Sequence, residues 1–386
     1  MRTQPTLSNQ VELIRNGFEF IQSNLELIKD AKNFIFLHTY IFEVDETTKP
    51  IIKQLIEASK RGVEVYIILD ALGSQDFPEK TEQDLVKAGV RIKYFTPLFH
   101  FYRTARRMHQ KLLLIDNEKA IVGGINLARR FNNPDQNLPW LDYSVLITGE
   151  EVHNLYLKSL RHYTKYFKDK RSQILNWKGI HSLSSTQCIV KSIENDWIFQ
   201  YKKVTQSYLQ SISEAKVRII IMATYFLPGK RLLKELKKAR KRDVEVLLIF
   251  GAFSDHPVVQ AAERYFFDWY LQIGFKIYLW DRSIVHGKLA LIDDTWVSIG
   301  SYNHNFLSKF GNCELNLEII NNQFASDVEK EINNVLQKCK PVTNETSQKY
   351  SKSVGILTYI LLNILTLFSL IFLYRQSEEE MENISR

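Results

Sequence analysis

The chain has 386 residues, 45% hydrophobic and 24% charged, with a net charge of +8 and an isoelectric point near 9.1. That is a globular composition with room for two core-forming domains, and its basic balance points to an anionic partner, either nucleic acid or an anionic membrane surface. The three cysteines, Cys188, Cys313 and Cys339, are scattered and show no C-x-x-C spacing, which argues against a disulfide framework or a zinc site and fits a reducing compartment.

The first sixteen residues are polar and hold no apolar run, so no secretory signal is expected. From Val11 to Lys32 the apolar residues Ile14, Phe18, Ile21, Leu25 and Ile28 fall at helical spacing, with Ser8 or Asn9 as a cap. Asn33–Phe42 reads as a buried strand. A helix follows from Lys49 to Arg61, closed by Gly62, then a strand over Val63–Leu69 that ends at Asp70. Glu79–Ala88 is a helix and Val90–Tyr94 a strand. Strand–helix–strand–helix–strand predicts a largely parallel α/β sheet. Pro97–Met108 is a loop rich in aromatics and arginine (Phe99, His100, Phe101, Tyr102, Arg103, Arg106, Arg107) that could form the cationic rim of a phosphate site.

Lys111–Ile115 is a short apolar run ended by the turn signal Asp116-Asn117, hence a buried strand. Residues two apart on a strand share a face, so His109 and Lys111 project together, while Asp116 has the opposite parity. Ala120–Val122 leads to Gly123-Gly124, where backbone can approach a ligand closely, and to Asn126, a neutral donor. A strand over Tyr143–Ile147, preceded by Asp142, and a helix over Glu150–Lys168 complete this half.

Lys170–Thr186 is irregular and is the expected boundary. A second pass then repeats the first: strand Cys188–Ile193, helix Trp197–Ala215, strand Lys216–Phe226, helix Lys230–Arg242, strand Val244–Phe250, helix His256–Gly274 and strand Phe275–Leu279. Ala-Lys, an apolar run and Thr-Tyr occur in both passes, and Asp243 stands where the first has Gly62. The period is about 180 residues, an internal duplication.

The duplication extends to the chemistry. His109, Lys111, Asp116, Gly123 and Asn126 recur with identical offsets as His286, Lys288, Asp293, Gly300 and Asn303. A phosphodiester resists attack by water, and covalent catalysis divides one difficult displacement into two. Two imidazoles flanking phosphorus suit in-line attack and leaving-group protonation. Lys111 and Lys288 would hold phosphoryl oxygens and offset transition-state charge, with Asn126, Asn303, Gly124 and Ser301 as further phosphate contacts. No cofactor is expected, and no metal, since a lysine beside each histidine would oppose a bound cation. Of the other histidines, His38, His100, His153, His162, His181, His256 and His304 are expected to be packing or surface residues.

At this point the chain resembles the phospholipase D superfamily, whose mark is a paired H-x-K-x4-D motif. Within it the chain is most similar to bacterial cardiolipin synthases, through Tyr40-Ile-Phe-x-x-Asp45, Arg61-Gly-Val-x-Val65, Gly123-Gly-Ile-Asn126 and Tyr225-Phe-x-Pro228. The resemblance runs to about residue 320. It implies an α/β fold of two αβα-sandwich lobes related by a pseudo-two-fold axis, His109 as nucleophile forming a phosphohistidine, and His286 as acid and then base. It implies that Asp142 and Glu314 orient the imidazoles. It counts Asp116 and Asp293 with the catalytic set, whereas their parity suggests support. The superfamily holds lipid transferases, lipid hydrolases and nucleases.

Val354–Tyr374 is almost wholly apolar and is long enough to span a bilayer. Lys338, Lys340, Lys349 and Lys352 precede it, and Arg375 and then Glu378–Glu380 and Glu382 follow; counting Lys and Arg places the catalytic body on the cytoplasmic side. The expected plan is a first lobe (1–178), a second lobe (179–340), a linker (341–352), one C-terminal transmembrane helix (353–375) and an acidic tail (376–386). Lys230–Arg242 carries eight basic residues around Leu232, Leu233, Leu236 and Ala239, a face suited to anionic lipid. The expectation is therefore a cell-membrane phosphatidyltransferase acting on anionic phospholipid such as phosphatidylglycerol, with a hydrolase or nuclease as the alternatives and nucleic acid the less favoured partner.

Overall fold

The computed structural model describes residues 4–95, 106–132, 138–167, 174, 187–196, 201–348, 350, 353–362 and 364. The first half runs β1 (Thr6–Ile14), α1 (Gly17–Asp30), β2 (Phe34–Thr39), α2 (Lys49–Lys60), β3 (Glu64–Asp70), α3 (Glu79–Lys87), β4 (Arg91–Phe95), β5 (Lys111–Ile115), β6 (Lys119–Gly123), β7 (Ser144–Gly149) and α4 (Glu150–Tyr166). The second runs β8 (Gln187–Asp196), β9 (Tyr201–Lys202), α5 (Lys203–Glu214), β10 (Arg218–Met222), α6 (Lys230–Lys241), β11 (Glu245–Gly251), α7 (Pro257–Arg264), α8 (Phe267–Gln272), β12 (Lys276–Trp280), β13 (Leu289–Ile292), β14 (Trp296–Gly300), α9 (Phe306–Phe310), β15 (Glu314–Ile320), α10 (Asn322–Leu336), β16 (Lys340–Pro341) and α11 (Asn344–Ser347).

All the strands among the described residues join one 16-stranded sheet. Its order, β4-β3-β2-β5-β6-β7-β1 against β12-β11-β10-β13-β14-β15-β8, is the same walk taken from opposite edges, and the halves meet where β1 pairs antiparallel with β8. The parallel expectation holds for β2-β3-β4 and β10-β11-β12 alone; β2-β5-β6-β7-β1 and its counterpart are antiparallel, so the sheet is mixed. The reason is local: β5 and β6 are joined by a tight turn, which reverses the chain.

Strand parity divides the core. On β2, Phe34 and Phe36 join a central cluster with α4, α10 and the inner face of the other half, while Ile35 and Leu37 face an outer cluster under α1, α2 and α3. The second half has its own outer cluster under α5, α6 and α8. Each fully buried Leu, Ile or Phe contributes about 1.5–3 kcal/mol, so the helix-on-sheet-on-helix layering follows from burying both faces of apolar strands.

Several expectations are corrected. Val11–Ile14 is not helical: it ends β1, whose Leu13 and Ile14 are buried by pairing with β7, and α1 begins at Gly17, capped by the Asn16 side chain, which accepts the Glu19 N–H at 2.9 Å. The His256–Gly274 helix is two helices, α7 and α8. The apolar positions of α6, Leu232, Leu236 and Ala239, pack into the outer core and do not face lipid, although its basic side stays exposed. The segment 341–352 is not a plain linker: β16 pairs with β12, Thr343 caps α11, and Tyr350 lies under Arg264. The boundary stretch 170–186 lies outside the described residues apart from Ile174. Of the anticipated span 353–375, only 353–362 and 364 are described; they are helical, and among the described residues no helix is long and apolar enough to cross a membrane.

Candidate active site

Each motif histidine arrives beside a carboxylate-bearing segment from the other half. Met108 forms a parallel bridge with Cys313, whose carbonyl accepts the N–H groups of His109 and Gln110, both at 3.0 Å. Symmetrically, Val285 bridges Leu141, whose carbonyl accepts the N–H groups of His286 and Gly287, both at 2.8 Å. The next residues along those segments are Glu314 and Asp142. His109 Nδ1 donates to Glu314 Oε2 at 2.9 Å, and His286 Nδ1 to Asp142 Oδ2 at 2.6 Å. Each carboxylate thus serves the histidine of the opposite half. Because an ionised carboxylate only accepts, it fixes the tautomer and leaves each Nε2 with its lone pair.

The lysines are held as closely. Lys111 Nζ donates to the His109 carbonyl at 2.5 Å, and Lys288 Nζ donates to the His286 carbonyl and lies 3.0 Å from His286 Nδ1. All six groups are buried; His109 and His286 keep 8% and 7% exposure, enough for one edge of each ring to face a substrate. Burial lowers both imidazole pKa values, and Lys111 and Lys288 lower that of His286 further. Burial, and then Lys288, pull Lys111 down to about 7, while burial brings Lys288 to about 8. Burial raises Asp142 to about 7 against the pull of Lys288. Burial also opposes ionisation of Glu314, but His109, Lys111 and Ser301 outweigh it and hold its pKa below the ordinary value. His109 and Lys111 from one half and His286 and Lys288 from the other act on one another electrostatically, so the halves build one site. Cationic groups crowded in a dry recess favour an anion there.

The remaining predicted residues divide. Asp116 and Asp293 are not at the reacting centre. They sit at the far ends of β5 and β13 with φ of 53° and 51°. Asp116 accepts the N–H groups of Lys32, Asn33 and Phe34 at 2.7–2.8 Å, and Asp293 those of Lys216, Val217 and Arg218. Both anchor a turn, as parity suggested. Ser301 is committed to Glu314: its hydroxyl donates to Oε2 at 2.5 Å and accepts the Leu315 N–H, so it orients the carboxylate. Gly124 makes room, since a Cβ there would lie 2.3 Å from Asp142 Oδ1. Asn126 accepts the Ile41 N–H at 3.2 Å and keeps a buried, unpartnered Nδ2; Asn303 has a buried, unpartnered Oδ1. Of the expected cationic loop, residues 97–105 lie outside the described residues. Arg106 and Arg107 are buried, paired with Asp196 at 2.6 Å and Asp70 at 3.3 Å. His38 and His162 are packing residues, as expected, His304 is buried against Tyr208, Phe226 and Tyr302, and His153 bonds Asn117 at 3.1 Å.

Four further residues were not among the expected site residues. The Tyr40 ring packs edge-on against His109 at 5.2 Å with Lys111 Nζ above it at 5.4 Å. Its counterpart Tyr225 has a left-handed φ of 55°, strained for a bulky residue, and donates to Asp255. Asp255 raises the pKa of both His286 and Lys288. The repeated Thr-Tyr pair was the signal in the sequence. Asp70 is a fourth anchor: it accepts the Met108 N–H at 2.8 Å and so holds the approach to His109.

The family model described as cardiolipin synthase, PLD-like domain, matches residues 25–168 and 208–336. Cardiolipin synthase B of Salmonella typhi is 31% identical over 86% of this chain and 82% of that protein, and cardiolipin synthase B of Escherichia coli K12 is 28% identical over 85% and 80%. The crystal structure of phosphatidylserine synthase from Haemophilus influenzae Rd KW20 has the same fold, with a TM-score of 0.73 at 16% identity over 93% of this chain and 95% of that one. A duplicated mixed sheet with both motifs meeting at its seam accounts for those likenesses, and the chain belongs to the phospholipase D superfamily, as an enzyme of its cardiolipin synthase-like, phosphatidyltransferase branch.

Proposed function

We propose that the protein moves a phosphatidyl group from one phosphatidylglycerol to another, giving cardiolipin and glycerol. His109 Nε2 attacks phosphorus, the bond to the headgroup oxygen breaks, and that oxygen takes its proton from Nε2 of His286, which picks up a proton from solvent when the anionic phosphodiester binds and so enters the step as the imidazolium. The hydroxyl of the second lipid then loses its proton to His286, attacks the phosphohistidine, and the phosphorus–nitrogen bond breaks. Lys111, Lys288 and the free amide of Asn126 would hold the equatorial oxygens, where charge accumulates. The carrying observation is the pair of buried imidazoles, each turned by a carboxylate from the opposite half and set among two lysines. We further propose that the apolar C-terminal stretch anchors the enzyme in the membrane with its body on the cytoplasmic side. In the described part of that stretch Val354, Ile356, Leu357, Ile360, Leu361 and Ile364 are exposed, an apolar surface that suits a bilayer.

The test is purified full-length protein on phosphatidylglycerol vesicles with products read by mass spectrometry. Cardiolipin formation that His109→Ala abolishes is expected. Phosphatidic acid alone would make the enzyme a hydrolase. A His109→Asn protein that still accumulated a covalent phosphoryl adduct would overturn the nucleophile.

A further inference from the structure

We propose that a recess between α5, the start of α6 and the segment after Asn303 is a second oxyanion site, which takes a phosphate group: the phosphodiester of a second phospholipid, or free phosphate. The recess is small, with a volume of about 30 Å³, and Thr205, Gly229, Arg231, Tyr302, His304 and Lys309 line it. Among the described residues no acidic side chain lines it.

The start of α6 is electrostatically unfinished. Its first N–H groups point outward, no side chain caps it, and its first turn has no acidic residue but does have Lys230 and Arg231. A helix N-terminus carries partial positive charge, so basic residues there add to it. Lys309 is half-buried and faces the same point: a Cβ on Gly229 would lie 3.6 Å from its Nζ. Burial lowers the Lys309 pKa, and Arg231 and Lys202 lower it further, with no carboxylate acting against them. The equivalent place in the first half is already filled. There the Asp45 carboxylate, just ahead of α2, accepts the N–H groups of Thr47 and Thr48 at 2.8 and 3.1 Å and that of Arg129 at 2.7 Å. The second half replaces that acid with Leu227-Pro228-Gly229.

His304 independently points to a ligand. It is 4% exposed, lines the recess, and its side chain makes no hydrogen bond to any described residue. Tyr208, Phe226 and Tyr302 enclose its ring at 4.5, 5.5 and 5.4 Å. Burial pulls its pKa down to about 3, so the imidazole is neutral and retains an N–H to donate. That N–H has no partner among the described residues and opens on the recess, where an oxyanion can accept it.

Position gives the recess its use. α6 follows β10, and Met222 at the end of β10 pairs with Leu289, three residues after His286, so the recess and the reacting centre share one edge of the sheet. Transfer between two phospholipids requires two phosphates, one between the imidazoles and one on the acceptor. This assignment of the occupant rests on the phosphatidyl-transfer reading; the oxyanion site itself does not.

The test uses the full chain with Lys309→Gln, Arg231→Gln and the conservative Lys309→Arg. In thermal unfolding at matched ionic strength, inorganic phosphate raises the Tm of the wild type more than that of either Gln variant, because loss of one charge-assisted bond weakens phosphate about tenfold. On phosphatidylglycerol vesicles the ratio of cardiolipin to phosphatidic acid falls about tenfold in the Gln variants, hydrolysis is unchanged, and Lys309→Arg restores the ratio. A fallen ratio identifies the occupant as a lipid headgroup; a lost phosphate effect with an unchanged ratio identifies it as free phosphate. Equal phosphate effects and equal ratios in wild type and variants overturn the site. Absence of all lipid turnover by the wild type would defeat the transfer reading, and the phosphate measurement would still decide the site.

Discussion

At the residue scale the site depends on which carboxylate holds which imidazole. Asp142 reaches His286 and Glu314 reaches His109, so neither half can orient its own histidine. Asp142→Asn and Glu314→Gln keep the shape of each pair but can donate to Nδ1 and stabilise the wrong tautomer. Each is expected to lower kcat by about 10²-fold or more with a smaller change in KM, measured by steady-state kinetics beside an unchanged circular dichroism spectrum. The lysines predict the alkaline side of the pH profile. Burial places Lys111 at about 7 and Lys288 at about 8, so the free enzyme loses positive charge as pH rises through that window, far below the ordinary lysine range. kcat/KM is therefore expected to fall between pH 7 and 8.5. Lys111→Arg, whose guanidinium stays charged, should lower the maximum but move this limb upward. A limb unmoved by Lys111→Arg would assign the titration to another group.

At the element scale the β5–β6 and β13–β14 turns show what a motif letter can conceal. Asp116 and Asp293 recur with the histidines because each strand must be fixed at both ends: the histidine end delivers chemistry, and the aspartate end ties the turn to the start of β2 or β10. Asp116→Ala leaves three backbone N–H groups without their acceptor and puts alanine at a φ of 53°. Losing such bonds, one buried and two partly buried, costs about 1–3 kcal/mol, and left-handed backbone costs about a further 1–2 kcal/mol. Denaturant unfolding should show a loss of about 2–5 kcal/mol, with activity per folded molecule nearly retained. A fall in kcat without loss of stability would return Asp116 to the catalytic set. Parity sets Asp116 apart from His109 and Lys111 in the sequence because strand alternation is local. The strand β1 was not legible: Val11, Ile14, Phe18 and Ile21 satisfy helical spacing, and what makes Val11–Ile14 extended is pairing with β7, more than 130 residues away. The bond from Ser301 to Glu314 was hidden for a similar reason, since that partner is set by β14–β15 pairing and not by spacing from the motif. The repeat itself was legible because duplication preserves offsets: even the Gly62 and Asp243 positions share the left-handed backbone, at φ 91° and 64°.

At the scale of the whole molecule, duplication leaves two halves that cannot be separated cheaply. β1 offers its outer edge to β8, with Thr6 opposite Val190. Glu151 of α4 accepts the Ser192 N–H at 2.7 Å, Lys158 donates to the Ser192 hydroxyl at 2.6 Å, and Arg106 pairs with Asp196, all across the seam. The central core, with α4 and α10 between the inner faces, belongs to both halves. A fragment holding residues 1–178 would therefore expose an unpaired β1 edge and one wall of that core. The pseudo-two-fold relation supplies a remedy: a second copy can take the place of the missing half, β1 against β1, which sets His109 of each copy beside Asp142 of the other, as Asp142 here sits beside His286. The fragment is thus expected to sediment as a dimer in analytical ultracentrifugation and to unfold at a temperature that rises with protein concentration. Asp142→Asn in the fragment should leave the dimer intact while abolishing any phosphodiesterase activity. A monomeric, cooperatively folding fragment would mean that the seam contributes little, and that the two halves meet only to share chemistry.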